Sequence, residues 1–132
     1  MANRSLKGVF RTPHMEPNVF FIKVPIDGAS AVGTIGPTGI SSYVTVTKPA
    51  GTGVYRVTLS DIYQEVVWCD ATILKAAGTL DADILPVTES GFQSSGNYVE
   101  FQVKKSSDGT ALDPTSVTIR IMLVLRNSQV TP

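Results

Sequence analysis

"SVTIRIMLVLRNSQVTP" runs from Ser116 to Pro132, and its middle, Val117 to Leu125, is nine mostly apolar residues long. That is less than half of the ~20 residues that cross a bilayer as a helix. Arg120 also interrupts the run, so a membrane anchor does not account for it. Every odd position is apolar (Val117, Ile119, Ile121, Leu123, Leu125), whereas the even positions are Thr118, Arg120, Met122, Val124 and Arg126. A period of two is a β-strand with one face in a core. The even face has an apolar centre, Met122 and Val124, between the charged ends Arg120 and Arg126. Such a face suits cover by the N-terminal segment or by another subunit better than open water, so these four residues are candidates for a protein contact.

The chain upstream is built of similar short runs rich in Val, Ile, Thr and aromatics, separated by Gly, Pro, Ser and Asp. YVEFQVK (Tyr98–Lys104) places Val99, Phe101 and Val103 inward, and VYRVTL (Val54–Leu59) does the same for Tyr55, Val57 and Leu59. NVFFIKV (Asn18–Val24), closed by Pro25, and YVTVT (Tyr43–Thr47) are further strands. VVWCDATIL (Val66–Leu74) predicts Val67, Cys69, Ala71 and Ile73 facing one way, against Val66, Trp68, Asp70, Thr72 and Leu74. A shorter strand near Ala82–Thr88 contains Pro86, which predicts a sheet edge. SDIYQE (Ser60–Glu65) predicts one capped helical turn, and GASAVGTIGPTGISS (Gly28–Ser42) a flexible loop with a short strand at Ala31–Ile35. Asp27-Gly28, Asp108-Gly109 and Asp113-Pro114 are turn pairs. These features predict an all-β fold, a two-sheet antiparallel β-sandwich of jelly-roll-like type over residues 18–132. It is preceded by an extended N-terminal arm, residues 1–17, carrying Pro13 and Pro17. Arg4, Lys7, Val9, Phe10 and Arg11 are the arm's candidate contact residues.

The 132 residues fit one domain with its own core. Eleven basic and eleven acidic side chains cancel, which gives no reason to expect nucleic acid or an anionic membrane as a direct partner. Cys69 is the only cysteine, which rules out an internal disulfide framework and fits a reducing compartment. The opening MANRSLKGVFRTP lacks the apolar core of a secretory signal, so synthesis in the cytoplasm is expected.

Chemistry is hard to find in these residues. His14 is the only histidine and lies in the arm, while Cys69 sits in a strand among apolar neighbours in its phase. Asp81 with Asp83, and Asp108 with Asp113, are the nearest carboxylate pairs, but all lie in turns where Asp caps backbone N–H groups. Gly33, Gly36 and Gly39 are too few for a collagen helix and precede no Lys-Ser or Lys-Thr of a phosphate loop. No metal site and no cofactor is expected, and no enzymatic activity. Tyr43, Tyr63, Trp68 and Tyr98 are the aromatic residues from which a carbohydrate-binding face would be built.

The run GVYRVTLSDIYQEVVW (Gly53–Trp68), followed after a variable middle by DPTSVTIRIMLVLRNS (Asp113–Ser128), resembles a group of small structural proteins encoded near the head genes of tailed bacteriophages. The resemblance implies a virion component of the capsid decoration, or cement, type. Such a protein is made in the bacterial cytoplasm, sits on the capsid exterior, and has as partners its own copies and the major capsid protein. Similar sandwiches also occur in tails, baseplates and head fibres, which leaves those locations open.

Overall fold

A computed structural model describes residues 17–74, 81–90 and 96–126. The arm candidates Arg4, Lys7, Val9, Phe10 and Arg11, and His14 with them, lie outside the described residues. Seven strands follow in order: β1 (Pro17–Ile26), β2 (Val44–Thr47), β3 (Val54–Leu59), β4 (Glu65–Leu74), β5 (Asp83–Glu89), β6 (Tyr98–Lys104) and β7 (Val117–Arg126). They form two antiparallel sheets packed as a sandwich, β1-β7-β4 and β2-β3-β6-β5. Hairpins join β2 to β3 and β5 to β6, and the other connections pass between sheets in the Greek-key manner of β-sandwiches. Counted from β2 and ending on β1, the order is that of a seven-strand constant-type immunoglobulin sandwich with its last strand moved to the N-terminal end.

The apolar run of the C-terminal region is β7, the central strand of the three-stranded sheet, hydrogen-bonded along both sides. Its odd residues are all buried and meet Val57, Val99, Phe101 and Val103 in a core shared by the two sheets. Ile22, Val24 and Ile26 complete the layer from β1. Tyr55 spans the interior: its hydroxyl donates to the Ser30 carbonyl at 3.0 Å, and burial, aided by Asp113 and Asp27, pushes its phenol up to about 12.

Four local expectations are corrected. In β4 a bulge between Val66 and Trp68 inserts one residue, so Val66 shares the core side with Cys69, Ala71 and Ile73, and Val67 turns outward. Ser60–Gln64 forms no helical turn. The Ser60 N–H donates to the Tyr43 carbonyl and the Gln64 N–H to that of Arg126, which stretches the segment between the sheets. Ala31–Ile35 forms no strand and makes only the isolated bridge Ile26↔Val32, followed by Lys23↔Gly36. Strand β1 also runs past Pro25 to Ile26. Because Lys23 exchanges both its backbone groups with Gly36, odd β1 residues point theirs to the sheet edge, so Pro25 costs the β7 ladder no donor. Its carbonyl accepts the Gly33 N–H at 2.8 Å. Pro86 lies, as expected, on an edge strand, β5.

Candidate functional site

The outer faces of the two sheets differ. On the four-stranded sheet a central polar group is matched internally, while Leu85 and Val87 on the edge strand β5 are partly exposed. Arg56 Nε donates to Glu100 at 3.0 Å, and its guanidinium lies 4.1 Å from the Tyr98 ring centroid. Gln102 donates to the Thr52 carbonyl beside them.

The three-stranded sheet is different. Its register sets outward side chains in rows across three strands: Val19, Val124 and Trp68; then Phe21, Met122 and Asp70; then Lys23, Arg120 and Thr72. Phe21 is 64% exposed, Trp68 58% and Val19 44%. The expected β7 face residues Met122 and Val124 therefore form the centre of a wider apolar surface. Arg120 and Arg126 lie toward its two ends, and Arg126 pairs with Glu65 at 3.5 Å. Pro37, carried on the loop that bridges to Lys23, stands at one side of a groove of about 600 Å³ over Phe21, Met122, Lys23 and Arg120. Large contiguous apolar surfaces on a folded chain mark contacts with other molecules.

Residues of β1 supply one residue of each row, and the alternation in the sequence does not select them. In NVFFIKV both phases are apolar, Phe20, Ile22 and Val24 against Val19 and Phe21, so periodicity alone gives no inward side. The only local signal is Lys23, a charge in the outward phase.

The other candidates are placed elsewhere. Cys69 is half-buried on the core side of β4, and burial pushes its thiol up, with Glu89 and Asp70 adding to the rise; that leaves little thiolate at neutral pH. The four carboxylates cap loops. Asp81 accepts from Ser107, Asp83 from the Ser106 hydroxyl, Asp108 from the Thr110 N–H and hydroxyl, and Asp113 from the Gly53 N–H at 2.6 Å with Lys48 at 3.0 Å. Among the described residues no group of three or more His, Cys, Asp or Glu could hold a metal ion. The four aromatic candidates do not form one platform. Tyr63 is buried and stands edge-on to Phe20, Tyr43 also packs on Phe20 at 5.9 Å, Tyr98 lies under Arg56, and Trp68 is on the opposite sheet.

Hydrogen bonds hold the carboxyls of Asp81, Asp108 and Asp113 below the usual carboxylate range: from Ser107, from Thr110, and from the Gly53 N–H followed by Lys48. A depressed folded value contributes stability that is present above the unfolded value and lost as pH falls through the folded one. Urea midpoints are thus expected to fall below about pH 4, the ordinary carboxylate value. The decline should be shallower in Asp113→Asn than in the parent chain, and equal slopes would contradict the assignment to Asp113.

Comparison with protein-family models, curated proteins and solved structures finds nothing that matches this chain.

Proposed function

We propose that this chain is a non-enzymatic structural protein of a tailed-phage virion, a capsid decoration protein that binds the outside of the head shell and stabilises it. The observation that carries the reading is the outer face of the three-stranded sheet, where Phe21, Trp68 and Val19 are exposed around half-buried Met122 and Val124, whereas the centre of the other outer face pairs Arg56 with Glu100 and Tyr98. A protein that attaches by one side needs this asymmetry. The resemblance over Gly53–Trp68 and Asp113–Ser128 supports the virion setting.

In this reading the face of the three-stranded sheet contacts a capsid subunit or a second copy. The arm residues Arg4, Lys7, Val9, Phe10 and Arg11 extend the contact from Pro17, which pairs with Arg126 at one end of the same sheet. Each bound copy stabilises the folded shell by linkage, and many copies on one lattice hold by avidity without strong single contacts.

The test is a heat-release assay on purified particles. Particles lacking the protein are expected to release DNA at a lower temperature, and adding it back should restore the intact value. A Phe21→Asp, Met122→Asp variant should not restore it. Identical release curves with and without the protein would refute the cementing role. A tail or baseplate location would show as particle-bound protein confined to tails.

A further inference from the structure

Lys23 and Arg120 are direct cross-strand partners on the outer face, with Thr72 as the third member of their row. Like charges directly opposite each other destabilise a sheet. Neither cation makes an ion pair among the described residues, although both ends of the Arg56–Glu100 pair on the other sheet are matched. Asp70, one row away, is the nearest acid on this face, and it accepts the N–H of Ala71 at 2.8 Å. The two cations line one groove with the apolar side chains of Phe21, Pro37 and Met122, and Asp70 lines it too, on the Phe21–Met122 row. An apolar floor with two cations on one row against a single acid is net positive, and it fits an occupant with carboxylates beside a large apolar side chain. The N-terminal arm does not have that composition, because Arg4, Lys7 and Arg11 outnumber Glu16.

We infer that the groove over Phe21 and Met122 receives an acidic, apolar extended segment of another protein, its apolar side chain on Phe21 and Met122 and its carboxylate between Lys23 and Arg120. This deepens the proposal above by naming the chemistry of the partner, and it rests on the reading that this face is a contact surface. Carboxylate pairing with Lys23 and Arg120 would relieve their repulsion on binding, so the charge arrangement is unfavourable in the free chain and favourable in the complex.

The experiment uses the full chain with ¹³C-methyl methionine, the Met122 signal being assigned by its loss in Met122→Leu. The probe is the synthetic peptide acetyl-Glu-Leu-Asp-Phe-Glu-amide, with acetyl-Lys-Leu-Lys-Phe-Lys-amide as its control. The acidic peptide is expected to move the Met122 methyl saturably, and to bind at least about tenfold more tightly than the basic one, roughly one well-placed charge contact. Lys23→Glu converts the like pair into opposite charges. It is expected to raise the melting temperature while weakening the acidic peptide at least about tenfold, a combination that a merely structural lysine would not give. Lys23→Glu with Arg120→Glu should reverse the preference between the two peptides. Equal response to both peptides, or a Met122 methyl that neither moves, would overturn the inference. A Met122 shift on dilution without any peptide would also overturn it, by showing a second copy in the groove. Because the assay contains no particles, it can fail while virion attachment stands, and the reverse.

Discussion

Gly53→Ala is expected to destabilise the fold by about 3–5 kcal/mol, a large share of the roughly 5–15 kcal/mol that holds a domain of this size. Gly53 is buried at the start of β3 with φ +72°, a conformation that L side chains rarely adopt. A Cβ there would lie 2.5 Å from the Leu112 carbonyl oxygen and 2.6 Å from that of Val103. The Val103 oxygen cannot retreat freely, because it accepts the Leu112 N–H at 3.0 Å, while the Val103 N–H donates to Gly53 at 2.8 Å. The Gly53 N–H is in turn held by Asp113. Relieving the collision therefore breaks the junction between the β2–β3 turn, the end of β6 and the loop before β7. Gly109 is the internal control. It has φ +74° with nothing within 4 Å of the added carbon, so Gly109→Ala should show the backbone term alone, about 1–2 kcal/mol. Urea denaturation of both variants decides the matter, and a Gly53→Ala as mild as Gly109→Ala would show that the junction yields.

Neighbouring truncations in β7 should differ sharply. Leu123 has no exposed surface, pairs across the sheet with Phe20 and Cys69, and is expected to cost about 3–5 kcal/mol as Leu123→Ala through lost burial and the cavity left behind. Val124, the next residue, lies on the outer face between Val19 and Trp68. Val124→Ala should cost less than about 1 kcal/mol, because little of the methyl burial is lost where the site stays open to water. The comparison separates the two faces of one strand by thermodynamics alone. Equal losses would mean that the outer face is packed in the free chain, and would remove it as a contact surface.

The sandwich was legible because most strands carry a single apolar phase. In β7, β6 and β3 every second residue is apolar and buried, so the alternation names the core directly. Where both phases are apolar, as in β1, the choice depends on which sheet lies opposite, and that is long-range information. The β4 bulge was invisible for a related reason: Val66 and Val67 are chemically identical, and only the ladder to β7 decides which one turns in. The central strip of the candidate face was legible as Arg120, Met122, Val124 and Arg126. The flanking strips needed the pairing of β7 with β4 and with β1, the latter bringing Phe21 and Lys23 beside Met122 and Arg120 from far along the chain.

In the proposed attachment, the pairing of Arg56 with Glu100, and of Arg56 with Tyr98, lies on the side turned away from the shell. A copy attached by its three-stranded sheet would turn toward solvent the four-stranded sheet, which among the described residues carries no counterpart of the groove over Phe21 and Met122, so a second copy arriving on top would find no repeat of the surface below. The deposit would stop at a single layer. A coat built this way would have its thickness set by the width of one sandwich rather than by the supply of protein.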